Sequence, residues 1–135
     1  MASPAHSPSA AFAEHERAYF VPLLEKLGVR ETARHISLPN WAAVDAACGS
    51  LIVRLEYERG LIAFCVASTV EPGRFWPIEF VAELFPRIRL MSAGFQRLSI
   101  DEQSTFLLQH IQEIQRLFAS EHYPATRERL QRVHT

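Results

Sequence analysis

Two apolar runs separated by a charged tip constrain this chain most. They are "LIVRLEYE" (51–58) and "LIAFCVAS" (61–68), joined by Arg59 and Gly60. Both are rich in branched and aromatic residues and both end at turn residues, which predicts adjacent antiparallel strands. The first alternates, with Leu51, Val53, Leu55 and Tyr57 on one side and Arg54, Glu56 and Glu58 on the other. The second is apolar on both sides, as expected of a central strand or of one whose second face is covered. A two-residue turn would need positive φ at Arg59, so a three-residue loop 58–60 with Gly60 as a left-handed bulge residue fits better. That register sets Tyr57 opposite Leu61 and puts Arg54 and Glu56 on the face of Ile62, Phe64 and Val66. The shorter turn puts them beside Leu61, Ala63 and Cys65, because a one-residue slip exchanges faces.

The rest of the chain reads as mostly helical. Residues 1–10 are dominated by Pro, Ser and Ala, too polar and Pro-broken to pack, and are expected to form a disordered tail. From Ala11, apolar residues from Phe12 to Leu27 recur at three- and four-residue steps, an amphipathic helix stopped by Gly28 and kinked or broken at Pro22. "ISLPNW" (36–41) signals a turn, with Trp41 packing as a lid, and "AVDAACGS" (43–50) predicts a first strand closed by Gly49-Ser50. "EPGR" (71–74) is a turn before a short helix with Pro77 in its first turn and Ile78, Val81, Leu84 and Phe85 inward. Residues 87–98 read as an irregular connection or a short strand through Ile88 and Leu90. Ser99 and Glu102 then form a capping box ahead of a long stripe from Phe106 to Phe118, and a last helix follows over 124–133. The fold class is therefore α+β: an N-terminal amphipathic helix, a small antiparallel sheet with a central hairpin, a short helix and a long C-terminal helix, in one domain over 11–135.

A chain of 135 residues buries roughly 65–70% of its unfolded surface and folds without staples. Its 14 basic and 15 acidic residues are interleaved, with net charge −1. Nucleic-acid affinity needs a basic excess to neutralise phosphates, so no nucleic-acid partner is expected. No apolar run approaches the ~20 residues of a membrane span, and the N-terminus lacks a secretory pattern, so the expectation is a cytoplasmic protein without a membrane partner. Cys48 and Cys65 are read as reduced, buried hydrophobes.

Sequence signatures of catalysis fail one by one. The six histidines form no HExxH, and His110 with Glu113 repeats a di-iron spacing only once. No GxSxG is present, and the five glycines make no phosphate loop. Glu56 and Glu58 share a strand face about 7 Å apart, where cross-strand ion pairing explains them better than acid–base chemistry. No catalytic residue, metal ligand or cofactor is assigned. In "RFWP" (74–77), Trp76 follows a turn and is of a type enriched in binding hot spots. The alternative is that Phe75 and Trp76 staple the helix start to the sheet.

The order of "LEKLG", "SLIVRLEYERGLIAFCVAS", "PIEFVAELF" and "LSIDEQSTFLLQHIQEIQRLF" resembles small bacterial α+β domains of the toxin-immunity type, over roughly Glu14 to Ser120. The resemblance implies a stoichiometric, non-enzymatic binder that occludes a toxin, with a protein partner. Arg54, Glu56, Glu58 and Arg59 would be partner contacts at the hairpin, and Trp76 the anchor. The alternatives are a homodimeric scaffold and, third, a small-molecule sensor or enzyme with a site assembled from scattered residues.

Overall fold

The structure is a computed structural model that describes residues 8–37, 39–85 and 98–134. Residues 1–7 of the expected tail and the expected connection before Leu98 lie outside the described residues. The first helix starts at Pro8, ahead of the expected Ala11, as α1 (Pro8–His15), and continues through a π-helical stretch (Glu16–Phe20) into α2 (Val21–Leu27). Pro22 explains the π stretch. It has no N–H for the carbonyl of Ala18, and its ring crowds that carbonyl. A widened turn just upstream, with Val21 N–H donating to Glu16 C=O, absorbs the mismatch without breaking the rod. Phe12, Phe20, Leu23 and Leu24 are buried, and Gly28 (φ 70°) ends α2 in the left-handed conformation.

Among the described residues five antiparallel strands follow in chain order, β1 (Glu31–Ser37), β2 (Trp41–Cys48), β3 (Leu51–Glu58), β4 (Leu61–Ser68) and β5 (Trp76–Pro77), each paired with the next. The fold is α+β, as the sequence pattern predicts, with α3 (Ile78–Ala82), α4 (Ile100–Phe118) and α5 (Tyr123–His134) completing it. The strand expected first is β2. A further strand, β1, precedes it and is almost wholly exposed.

The hairpin register corrects the expected bulge. Arg59 (φ 50°) and Gly60 (φ 85°) both adopt positive φ as a two-residue turn, and Tyr57 stands opposite Ile62, Leu55 opposite Phe64, Arg54 opposite Cys65. One sheet face therefore carries Val44, Leu51, Val53, Leu55, Phe64 and Val66, all essentially inaccessible, and packs on the helices. The other carries Trp41, Ala43, Asp45, Arg54, Glu56 and Cys65.

α4 spans the core face and is tied to the sheet along its length. Its N-terminus has the expected capping box: Ser99 Oγ accepts from Glu102 N–H at 3.1 Å, and Glu102 Oε1 from Ser99 N–H at 2.9 Å. Gln103 Oε1 accepts Phe64 N–H at 2.7 Å, Gln115 Nε2 donates to Cys48 C=O at 3.1 Å, and Ser68 Oγ donates to Phe118 C=O at 2.7 Å. No helix among the described residues is long and apolar enough to cross a membrane.

Candidate functional site

The face of the sheet away from the helices carries a pre-assembled cluster of charged and aromatic side chains. Strand pairing sets Asp45 directly opposite Arg54 and Ala43 opposite Glu56. The small alanine side chain leaves room for the longer groups around it. Arg54 grips Asp45 in a fork, Nε to Oδ1 at 2.7 Å and Nη2 to Oδ2 at 3.0 Å, a planar match that arginine makes and lysine does not. The guanidinium carbon lies 3.9 Å from the centre of the Phe75 ring and 5.5 Å from that of Trp41, within cation–π range of both. Trp41 Nε1 donates to Glu56 Oε2 at 3.0 Å, and Arg54 Nη1 is 3.9 Å from the same oxygen. His35 Nε2 approaches Asp45 Oδ2 at 3.4 Å from the edge strand.

Burial decides how this cluster behaves. Asp45 is only 6% exposed, and a carboxylate so placed needs partners to remain charged. Burial is the largest single influence and would lower the Arg54 pKa, but the hydrogen bonds to Asp45 together with the charge interactions with Asp45, Cys65 and Glu56 outweigh it and raise the pKa, keeping the guanidinium charged. Cys65, opposite Arg54, has its thiol pushed well up, first by burial and then by the Glu56 carboxylate, which favours the protonated thiol at neutral pH.

The expected contact residues do not all belong to this cluster. Arg54 and Glu56 are in it, their side chains 14% and 31% exposed. Glu58 and Arg59 stand exposed at the hairpin tip. Trp76 is a correction. It pairs with Val66 on the core face, is 4% exposed, and its Nε1 donates to Tyr123 Oη at 3.2 Å, so its indole is a staple of the interior and no anchor for a partner. Its neighbour Phe75 takes the place on the open face. Asp45, Trp41, His35 and Phe75 were missed as site residues. Asp45 had a signal, because the one charge in "AVDAAC" requires an opposite charge on a neighbouring strand.

The His110 ring packs against the rings of Phe85 (5.2 Å) and Phe106 (5.0 Å), which also meet each other at 5.5 Å, while Glu113 pairs with Arg116 at 3.6 Å. Among the described residues no cluster of three or more His, Cys, Asp or Glu side chains is arranged to hold a metal ion.

A groove of about 650 Å³ adjoins the cluster beside the first half of β4. Apolar side chains of Ile62, Pro77, Phe80 and Ile100 line it, together with the carboxylates of Glu56, Glu58 and Glu79 and the guanidinium of Arg59. Glu56 thus borders both the groove and the stacked cluster. Compared with protein-family models, curated proteins and solved structures, the chain matches none of them.

Proposed function

We propose that this chain is a non-enzymatic protein-binding module that docks its partner on the open face of the sheet, around Arg54, Trp41 and Phe75. One observation carries the reading: the guanidinium is already forked to Asp45 and lies over the rings of Phe75 and Trp41 in the unbound chain. Ordering a long side chain at an interface ordinarily costs about 0.5–1.5 kcal/mol, and here folding has met that cost. Arginine and large aromatics are the residues that dominate interface energetics, and they need this kind of rigid support to do so. The exposed charges of Glu58 and Arg59 beside the cluster suit a rim that steers encounter and rejects wrong partners.

The specific form of this reading is an immunity protein that occludes a bacterial toxin in the cytoplasm, which is what the resemblance in element order implies. Co-expression with the product of the adjacent reading frame tests it. The wild-type chain is expected to restore growth. The double variant Trp41→Ala, Phe75→Ala is expected to lose protection while keeping its far-UV circular dichroism. A wild-type chain that does not protect, or a folded double variant that protects equally well, overturns the reading.

A further inference from the structure

β4 is paired with β3 along its whole length, but β5 pairs only with Cys65 and Val66. No described strand lies against the stretch from Leu61 to Phe64 on that side. Which backbone groups face outward follows from antiparallel alternation. Phe64 N–H turns away from β3 and is accepted by the side chain of Gln103 at 2.7 Å. Ile62, two residues earlier, turns its N–H and C=O the same way, toward the groove. Gln103 takes the place of one strand partner at Phe64, and the next position along the edge is Ile62.

The groove fits an added strand in shape and in charge. Its lining draws on both sheet faces, Ile62 from the core face and Leu61, Ala63, Glu56 and Glu58 from the open face, which is what a channel wrapped around a strand edge requires. On the core side Phe80 and Ile100 stand beside Ile62, with the Gln103 side chain next to them at Phe64. On the open side stand Glu56 and Glu58. The whole lining holds three carboxylates (Glu56, Glu58, Glu79) against one guanidinium (Arg59). A strand entering here presents alternate side chains to these two environments.

We propose that Leu61–Phe64 is a strand-addition site for an extended partner segment that alternates basic and apolar side chains. Main-chain hydrogen bonds to Ile62 would supply the pairing. The carboxylates on one face and the apolar wall on the other would supply the selectivity. This inference rests on the reading of the chain as a protein-binding module and names a second element of the partner, since Glu56 joins the groove to the aromatic cluster.

The test uses the full chain and a fluorescein-labelled, end-blocked (Lys-Val)3 peptide, with (Glu-Val)3 as its counterpart, followed by fluorescence anisotropy at low ionic strength. The lysine peptide is expected to bind at least tenfold more tightly than the glutamate peptide and to slow exchange of the Ile62 amide hydrogen at least tenfold. Ile62→Pro removes the outward N–H together with a half-buried side chain that packs on the core, and is expected to reduce lysine-peptide binding at least tenfold with some fall in melting temperature. Glu58→Lys, a surface change that leaves the backbone alone, is expected to weaken it at least threefold and keeps the test decisive if the proline variant does not fold. Equal binding of the two peptides overturns the proposal. So does binding unaffected by both variants, an Ile62 amide already protected in the free monomer, or protection that rises with protein concentration and marks a second copy as the occupant. The Phe75→Ala variant, which leaves the Trp41 hydrogen bond to Glu56 in place, is expected to retain peptide binding. Failure of toxin protection with intact peptide binding would therefore count against the functional reading alone, and the reverse against this edge alone.

Discussion

At the scale of single residues, Cys65 shows how burial governs a thiol set beside charged groups on the open face. Its thiol stands opposite Arg54, a cation that would favour a thiolate, yet burial and the carboxylates of Glu56 and Asp45 outweigh that cation and hold the proton on sulfur. Native protein at pH 8 is therefore expected to resist iodoacetamide at Cys65 and to become alkylated there only in urea, as read by peptide mass spectrometry. The same shift links stability to pH. The folded pKa lies above the ordinary 9.0, so the contribution is fully present below that value and is lost as pH rises through it, when only the unfolded chain readily ionises. The loss approaches about 1.4 kcal/mol per pH unit for this group. Urea unfolding at pH 7 and about pH 10.5 is expected to show a shallower alkaline drop in Cys65→Ala than in wild type. Equal slopes would place the alkaline sensitivity elsewhere.

At the scale of elements, the hairpin turns on a comparison of magnitudes. A bulge at Gly60 would have spared Arg59 its left-handed conformation, a cost of roughly 1–2 kcal/mol. It would also have moved Phe64 and Val66 to the face of Arg54 and Glu56. Both are fully buried against the helices, and burying side chains of that size stabilises by about 1.5–3 kcal/mol each. Burial wins, the tight turn forms, and Arg59 N–H is held by Asn40 C=O at 2.9 Å. Turn propensity read at two residues could not see that, because the deciding term lies several residues away. The capping box was legible for the opposite reason, since all its terms lie within four residues. Arg59→Asn, better suited to the first position of such a turn, is expected to stabilise the protein by about 0.5–1 kcal/mol. Gly60→Ala is expected to cost about 1–2 kcal/mol at φ 85°, although no atom lies within 4 Å of an added Cβ. Urea midpoints read both, and a neutral Gly60→Ala would contradict the turn.

At the scale of the whole molecule, hydrophobic patterning revealed what the core buries and little else. β1 escaped it because "ETARHIS" buries almost nothing. It is held by pairing with β2, by Thr32 Oγ1 donating to Asp45 C=O at 3.2 Å, and by Arg34 bridging Glu31 and Glu16. The stacked cluster was only half legible, since Phe75 and Trp41 meet Arg54 from separate parts of the chain. α4 is what makes one unit of these parts. It is bonded to β2 through Gln115, to the β2–β3 turn through Ser50 Oγ and Gln115 C=O, and to β4 at both ends through Gln103 and Ser68. Ser68 is fully buried, and its hydroxyl serves two groups, donating to Phe118 C=O and accepting Val70 N–H at 3.1 Å. Ser68→Ala leaves that carbonyl without its partner at the buried end of the helix and is expected to cost about 1–3 kcal/mol. If α4 and the sheet form one cooperative unit, the loss is shared. Fluorescence of Trp76, isolated in a Trp41→Phe background, and far-UV circular dichroism should then shift to lower urea together. Helix signal lost ahead of the indole signal would instead mean that α4 leaves a sheet able to stand without it.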